Sequence, residues 1–281
     1  MPELPEVETV IRGLEPFMVD RKIAAVQKRR KDLRIPFTRG IEKRLEGCKI
    51  ISLQRRAKYI QIILDNADVL VIHLGMSGRI SIVPKSMKFR PEKHDHFIIT
   101  LSSGVRVVYN DPRRFGMIFI VPEADLNAHK AFSRLGPEPL GNQFSGSVLV
   151  GRLKNKKTSI KQALLDQRIV VGVGNIYACE ALYESLIDPQ MPAGIIDENK
   201  IEDLVKAVRN VLRRAIKAGG STLKDYRQAD GELGYFQHSF KVYDRENMAC
   251  PHCTCDIEKT GGIKRIVQSG RSTFYCAEKQ K

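Results

Sequence analysis

The sequence has no apolar run that approaches the length of a membrane span. Its first residues carry glutamates where a secretory signal peptide would carry a basic region followed by an apolar one. Internal repeats and low-complexity tracts are also missing. These absences predict a cytoplasmic protein without a membrane partner. Its 281 residues, 42% of them hydrophobic, are enough for about two folded domains.

Acidic residues are scarce relative to basic ones, with 32 Asp and Glu against 47 Lys and Arg, and the formal net charge is +15. An excess of this size attracts polyanions such as phosphate backbones at long range. Charge alone does not distinguish DNA from RNA or from a membrane surface. The composition therefore predicts a polyanionic partner, and the motifs have to identify it.

Cysteines are few and unevenly placed, since four of the six fall in the last 32 residues. In a cytoplasmic protein this distribution argues against a disulfide framework. A C-x2-C pair at Cys250 and Cys253, with Cys255 and Cys276 nearby, instead favours a metal-binding module in this part of the sequence.

The apolar pattern changes along the chain. Val7, Val10, Ile11 and Leu14 share helical spacing and predict an amphipathic N-terminal helix. Short β-rich runs such as YIQIIL and HFIITL follow to about residue 121 and predict antiparallel strands in a sandwich or flattened barrel. Helical patterns come next and fit a helix-turn-helix-like arrangement or a plain helical bundle. The predicted segments are 1–130, a linker at 131–150, a helical domain at 151–238 and a hairpin-containing segment at 239–281.

The first eight residues contain two prolines and three glutamates. One interpretation is an acidic first helical turn, because Pro5 suits an early helix position and Glu6 suits a helix N-terminus. The other interpretation starts from Pro2. Loss of Met1 would make the Pro2 ring nitrogen a free secondary amine, and such an amine can act as a nucleophile.

Eight strings of residues carry a resemblance to a known family. In order they are MPELPEVET, RRAKY, HLGMSGR, EKHDH, NDPRRFG, VVGVGNIY, GGSTLKDY and SGRSTFYC. Together they resemble the formamidopyrimidine-DNA glycosylase family, also called MutM or Fpg, from residue 2 to about residue 276. The resemblance implies an α+β fold with an N-terminal helix and an antiparallel β-sandwich domain, a helix-two-turn-helix DNA-binding domain, and a C-terminal β-hairpin like a zinc finger.

The function implied by the resemblance is that of a bifunctional DNA glycosylase and abasic-site lyase of base-excision repair. Such an enzyme excises oxidised purines, chiefly 8-oxoguanine and formamidopyrimidines, through a Schiff base with its N-terminal proline, and nicks the strand by β,δ-elimination. The implied partner is damaged double-stranded DNA, bound by a monomer at the bacterial nucleoid. Two alternatives stay open: an endonuclease VIII-like glycosylase for oxidised pyrimidines, and a non-catalytic binder of damaged DNA.

Five positions match the family's catalytic residues. Pro2 is the implied nucleophile; an α-amine has a reference pKa near 8, so an appreciable fraction is unprotonated at neutral pH. Glu3 is the implied general acid that protonates the sugar ring oxygen. Glu6 is the implied water-positioning or proton-relay partner, with complementarity to the helix dipole as its alternative role. Lys58 in RRAKY and Arg271 in SGRSTFYC match residues that contact phosphates beside the lesion.

Six further positions match family contacts to DNA. Flipping a base out of a duplex leaves a gap that must be filled, and Met76, Arg113 and Phe115 match the wedge that fills it. A place in the core is the alternative for Met76 and Phe115. The implied phosphate contacts are His94, Lys161 and Asn175. The family's loop over the flipped base corresponds to residues 219–235.

The family's finger normally binds zinc through two C-x2-C pairs in a tetrahedral site. Three cysteines match these ligands: Cys250, Cys253 and Cys276. The fourth position is Lys279, and a lysine amine is a poor ligand because it is protonated at neutral pH. Cys255 or His252 is the alternative fourth ligand. We therefore expect one zinc ion whose fourth ligand is open, with a metal-free hairpin as the alternative.

Overall fold

The structure, a computed structural model, describes residues 2–221, 234–251 and 256–281. The chain divides into two compact units: unit 1 comprises Met1–Ser133 and Ala218–Tyr235, and unit 2 comprises Arg134–Lys217 and Phe236–Lys281. Helices occur together with antiparallel sheets, so the predicted α+β class is confirmed. Within the part of the chain that the structure describes, no helix is both long and apolar enough to cross a membrane.

Unit 1 is a two-sheet sandwich with a helix at its start. Its helices are α1 (Leu4–Met18) and α2 (Ile41–Leu45), and a short 3-10 turn lies at Glu123–Asp125. Its strands are β1 (Ile23–Lys28), β2 (Ile50–Arg56), β3 (Tyr59–Leu64), β4 (Asp68–His73), β5 (Arg79–Val83), β6 (Asp95–Leu101), β7 (Arg106–Asn110) and β8 (Met117–Pro122). The sheets have the orders β1-β6-β7-β5 and β2-β3-β4-β8, and every pairing is antiparallel.

The core of unit 1 joins both sheets to α1. One cluster of buried side chains includes Val10 from α1, Ile62 from one sheet and Ile99 from the other. Burial of a side chain of this size contributes roughly 1.5–3 kcal/mol. The apolar stripe predicted for the first helix therefore packs the start of the chain against the sandwich, which fixes the position of residues 2–6.

Unit 2 is helical and ends in a hairpin. Its elements are α3 (Gly146–Leu153), α4 (Ile160–Leu165), α5 (Asn175–Glu184), α6 (Glu198–Lys217), α7 (Ile257–Thr260), β9 (Lys264–Gln268) and β10 (Arg271–Tyr275), with 3-10 turns at Ala193–Ile195 and Phe236–Ser239. One face of α6 is apolar and buried, at Ile201, Leu204, Val208 and Leu212. Strands β9 and β10 pair as the predicted antiparallel hairpin.

A buried glutamate in α5 holds the segment that leads to the hairpin. The Glu180 carboxylate accepts backbone hydrogen bonds from Lys241, Val242 and Tyr243 at 2.8–2.9 Å. Burial raises the pKa of Glu180, while these three amides act in the opposite direction. A fully buried carboxylate is compensated in this way, so residues 241–243 are fixed against the helix that begins at Asn175.

Candidate functional site

The N-terminal residues form a closed hydrogen-bonded arrangement at the start of α1. Glu3 and Glu6 make a capping box, in which each side chain accepts a hydrogen bond from the backbone N–H of the other. The N–H of Glu3 lies 2.8 Å from Oε2 of Glu6, and the N–H of Ser221 lies 2.8 Å from Oε1. Pro2, Glu3 and Glu6 are all buried. Glu6 therefore fixes the backbone beside Pro2, and its predicted role as a proton relay stays a prediction.

Lys58 lies in the turn between β2 and β3 and is 8% exposed. The residue before it, Ala57, has a φ of +54°, which sets the turn. The charge of Lys58 acts on His73 at the end of β4. Burial lowers the pKa of His73 to about 4, and the positive charges of Lys58 and Arg34 act in the same direction. The imidazole is therefore neutral at neutral pH, and its Nδ1 accepts a hydrogen bond from the Gly75 N–H at 3.0 Å.

Met76, Arg113 and Phe115 lie on two adjacent loops of unit 1. Met76 is 38% exposed and Phe115 is 44% exposed, so the alternative that they are core residues is wrong. The Arg113 guanidinium carbon lies 4.9 Å from the centroid of the Phe115 ring, a cation–π contact. A Cβ atom on Gly75 would lie 2.4 Å from the carbonyl carbon of Phe115, so the loops meet backbone against backbone. The three predicted wedge residues are thus brought together.

His94 belongs to the segment that precedes β6 and is half-buried. Its carbonyl oxygen accepts a hydrogen bond from the N–H of Asp111 at 3.0 Å, which joins this segment to the loop of Arg113. The His94 ring meets the His96 ring edge-on, with 6.1 Å between centroids. His94 therefore borders the wedge loops.

Lys161 and Asn175 meet in unit 2 at one backbone carbonyl, that of Ser272, which follows Arg271 in sequence. Nζ of Lys161 donates to the Ser272 carbonyl oxygen at 3.0 Å, and Nδ2 of Asn175 donates to the same oxygen at 2.9 Å. Lys161 is fully buried and also donates to Oγ1 of Thr273 at 2.6 Å. These contacts hold the β10 strand at the residue that follows the exposed Arg271.

Lys161 and Arg271 also line a cavity of about 240 Å³ in unit 2. It is lined by Lys161, Gln162, Leu165, Asp166, Gln268, Ser269 and Arg271. Oδ1 of Asn175 is buried and has no hydrogen-bond partner among the described residues. The lining carries two cationic side chains, Lys161 and Arg271, against one carboxylate, Asp166, and this excess of positive charge suits an anionic ligand such as a phosphate.

The predicted metal ligands are described only in part, because His252, Cys253 and Cys255 lie outside the described residues. Cys250 and Cys276 are buried in one cluster, and Sγ of Cys250 lies 3.1 Å from the hydroxyl of Tyr183. No three potential ligands converge within 2–221, 234–251 and 256–281.

The fourth ligand position fits zinc poorly. Nζ of Lys279 lies 5.0 Å from the centroid of the Tyr183 ring, a cation–π contact. The side-chain nitrogen of Lys279 is thus placed over an aromatic ring, and a lysine amine is not among the thiolate, imidazole and carboxylate ligands that zinc takes. Two buried thiols therefore suit the metal, and Lys279 does not.

Sequence reasoning missed three residues of unit 1 that organise the candidate site: His73, Ser77 and Asp111. His73 and Ser77 stand inside HLGMSGR and Asp111 stands inside NDPRRFG, so the motifs contained them. The contact between Ser77 and Asp111 joins two loops that are distant in sequence, so only the fold brings this pair together.

The chain is an α+β protein that combines a helix packed on a β-sandwich with a helical unit ending in a β-hairpin, and it exposes Met76 and Phe115 on tightly packed loops. A family model for the formamidopyrimidine-DNA glycosylase N-terminal domain matches residues 1–118. A model for the formamidopyrimidine-DNA glycosylase H2TH domain matches residues 135–227. The chain belongs to the formamidopyrimidine-DNA glycosylase family.

Relatives match this chain over its whole length. The formamidopyrimidine-DNA glycosylase of Dinoroseobacter shibae is 50% identical over 289 residues, and that of Rhodospirillum rubrum is 49% identical over 281 residues, with 100% of each chain covered. The crystal structure of the MutM (Fpg) protein from Thermus thermophilus has a TM-score of 0.87 at 37% identity and covers 99% of this chain and 98% of that chain.

Solved relatives also include complexes with DNA. Wild-type Lactococcus lactis Fpg (MutM) with DNA containing N7-benzyl-Fapy-dG has a TM-score of 0.89 at 30% identity and covers 100% of both chains. The same organism's Fpg with DNA containing an abasic site has a TM-score of 0.89 at 30% identity and covers 99% of both chains.

Proposed function

We propose that this protein is a bifunctional DNA glycosylase and abasic-site lyase of base-excision repair that acts on damaged double-stranded DNA and excises oxidised purines. The observation that carries the proposal is the hydrogen-bonded start of α1, where Glu6 holds the Glu3 N–H and thereby fixes the backbone that directly follows Pro2. Family membership supports the same activity, and the N7-benzyl-Fapy-dG in the DNA of the Lactococcus lactis complex supports a purine substrate.

In the proposed reaction, the Pro2 nitrogen is freed by removal of Met1 and attacks C1′ of the damaged nucleotide. The new N–C1′ bond replaces the glycosidic C1′–N bond, whose electron pair leaves with the base and takes up a proton. Glu3 donates a proton to O4′ as the sugar ring opens. The nitrogen lone pair then forms a C=N iminium between the proline and the sugar.

Strand cleavage follows from the iminium. Removal of a C2′ proton breaks the C3′–O bond and releases the 3′ phosphate, which is the β-elimination. Removal of a C4′ proton expels the 5′ phosphate, which is the δ-elimination. Water then hydrolyses the imine and regenerates the proline amine. Glu6 and Lys58 are proposed to assist these proton transfers from their buried positions in unit 1.

The remaining residues have proposed roles in binding DNA. The net charge of +15 favours the phosphate backbone. Met76, Arg113 and Phe115 fill the gap that the flipped base leaves, because apolar and cationic side chains can replace stacking and pairing there. His94, Lys161, Asn175 and Arg271 are proposed to contact phosphates, and chromosomal DNA as the partner implies a cytoplasmic location.

We further propose one structural zinc ion, held by thiolates of Cys250, Cys253 and Cys276. Cys255 or His252 would complete the ligand set in place of Lys279, since thiolate and imidazole are ligands that zinc prefers. A bound zinc would hold the hairpin that presents Arg271.

The central test is borohydride trapping on abasic DNA, because borohydride reduces the imine to a stable covalent adduct. The protein is used with its N-terminus verified as Pro2, and a variant with one added alanine before Pro2 is the matched control. We expect the protein that begins at Pro2 to form a covalent adduct with the DNA. The variant with the added alanine should form no adduct through Pro2, because its proline nitrogen is part of a peptide bond. Absence of an adduct from the native protein would leave only a non-catalytic binder of damaged DNA.

Substrate class is tested with two duplexes, one with 8-oxoguanine opposite cytosine and one with thymine glycol opposite adenine. The proposal expects faster release of 8-oxoguanine. Faster release of thymine glycol would assign the protein to the endonuclease VIII-like activity instead.

A further inference from the structure

A buried carboxylate lies behind the loops that carry Met76, Arg113 and Phe115. Asp111 is fully buried. Its Oδ1 accepts a hydrogen bond from the Ser77 hydroxyl at 2.6 Å, and its Oδ2 accepts from the Tyr109 hydroxyl at 3.1 Å and from the Gly116 N–H at 2.9 Å. A carboxylate buried in this way is stabilised by its donors and also fixes them.

Two of the three donors to Asp111 lie on the two loops, and the third, Tyr109, lies in β7. Ser77 follows Met76, and Gly116 follows Phe115. The Ser77 hydroxyl also accepts a hydrogen bond from the N–H of Arg113 at 3.1 Å. The same hydroxyl therefore donates to Asp111 and accepts from Arg113. We call residues 75–78 and 112–116 the wedge loops. Their backbones are therefore connected through Asp111 and Ser77.

Both wedge loops pack closely against the Tyr109 hydroxyl, which would contact a Cβ atom on Gly78 or on Gly116. Tyr109 reaches under both loops, and a Cβ atom on Gly116 would lie 1.7 Å from its hydroxyl oxygen. Burial and the adjacent carboxylate raise the pKa of Tyr109, so its hydroxyl stays protonated and donates to Asp111. Close packing of this kind permits few alternative positions of the loops.

The backbone of Asp111 is fixed as well. Its N–H donates to the His94 carbonyl oxygen at 3.0 Å, and its own carbonyl oxygen lies 2.9 Å from Nε2 of His96. Burial lowers the pKa of His96, so the ring is neutral at neutral pH, and one ring N–H can donate to the Asp111 carbonyl. Side chain and backbone of Asp111 thus join three segments of unit 1.

We propose that Asp111 is a positioning residue for base extrusion: its carboxylate locks both wedge loops into one preformed unit, so that Met76, Arg113 and Phe115 enter the duplex together. The inference rests on the proposed function. Extruding a base from the duplex has a free-energy cost of its own. Loose side chains that had to be ordered at the same moment would add a conformational-entropy cost to it. Asp111 therefore matters where a base has to leave a duplex, and not where the sugar is already accessible.

The variant Asp111→Asn tests the proposal, because the amide keeps the size of the side chain while its NH2 group cannot accept a hydrogen bond. Ser77→Ala is the milder second variant. The matched control is Asp68→Asn, which alters another mostly buried carboxylate of unit 1, at the start of β4 and paired with Arg44. Thermal unfolding followed by circular dichroism identifies any variant that fails to fold.

Wedge insertion is measured with 2-aminopurine next to an abasic-site analogue in a duplex, since its fluorescence rises when stacking is disrupted. Excision of 8-oxoguanine from a duplex and borohydride trapping on a single-stranded abasic oligonucleotide are measured in parallel. For Asp111→Asn we expect duplex excision to fall by about 100-fold, as for a small misplacement of positioned groups, and the fluorescence rise to be lost. Single-stranded trapping should stay within about twofold of the native protein, because it needs only the Pro2 chemistry.

An equal fall in duplex excision and single-stranded trapping for both variants would overturn the inference, since it would indicate a general loss of structure. An unchanged fluorescence rise in Asp111→Asn would overturn it as well. Failure of the native protein to trap abasic DNA would instead refute the proposed chemistry, and the fluorescence comparison would still decide the role of Asp111.

Discussion

Glu6 and Ser221 are joined by a hydrogen bond from the Ser221 N–H to Oε1 of the Glu6 carboxylate, although 215 positions separate them in sequence. The other carboxylate oxygen accepts the N–H of Glu3. One buried side chain therefore connects the start of α1 to Ser221, the last described residue before the gap at 222–233. Because the proposed nucleophile precedes Glu3 by one residue, this connection bears directly on the geometry of the reaction.

The substitution Glu6→Gln is expected to lower both stability and activity. The amide oxygen can keep one of the two bonds, but the NH2 group then faces the other N–H, and an unsatisfied buried donor costs about 1–3 kcal/mol. Urea unfolding and single-turnover excision measure the two effects.

The control for this change is Glu15→Gln, an exposed position of the same helix. Its free energy of unfolding should change by less than about 0.5 kcal/mol. Equal unfolding free energies for Glu6→Gln and the native protein would contradict the structural role of Glu6.

His73 predicts a pH dependence of stability. Its pKa is lowered to about 4 in the folded protein, while an unperturbed imidazole titrates near 6.5. Between these values the unfolded chain binds a proton that the folded chain does not, so stability falls as the pH decreases from about 6.5 to about 4. The contribution is fully present above that range.

The variant His73→Asn isolates this contribution, because its side-chain oxygen can accept the Gly75 N–H without titrating. Urea unfolding at several pH values should show a smaller loss of stability for the variant than for the native protein over that range. Parallel pH curves for the two proteins would contradict the assignment.

Local patterns predicted the fold better than they predicted the connections within the site. The stripe at Val7, Val10 and Leu14 has helical spacing, and its burial in α1 needs only local geometry. Ser77 and Asp111 are 34 positions apart, and their contact depends on how β5 and β7 are paired. The strings contain the residues of both loops, while the tertiary structure determines which side chains hold the loops together.

The replacement Lys279→Cys is expected to strengthen zinc binding, because it supplies a fourth thiolate three residues after Cys276 and so completes the second C-x2-C pair. Metal content is measured by mass spectrometry before and after exposure to a chelator. We expect one zinc per chain in the native protein and slower loss from the variant, with Cys276→Ser as the variant that loses the metal. Native protein without zinc at any stage of purification would favour the metal-free hairpin.

Lys161 is expected to affect DNA binding through charge as well as structure. It is fully buried yet lines the cavity of Arg271, and it donates to the Ser272 carbonyl and the Thr273 hydroxyl. Lys161→Met keeps the aliphatic chain and removes the ammonium. If the ammonium contacts a phosphate, the slope of log affinity against log salt should become smaller by about one unit.

The matched control is Lys154→Met, an exposed lysine of the same unit. Binding to a duplex with an abasic-site analogue is measured by fluorescence anisotropy from low to moderate salt, and Lys161→Met should bind more weakly across this range. A weaker affinity with an unchanged salt slope would show that Lys161 acts only by holding β10. An unchanged affinity would contradict both roles, because loss of either the phosphate contact or the strand position of Arg271 weakens the grip on DNA.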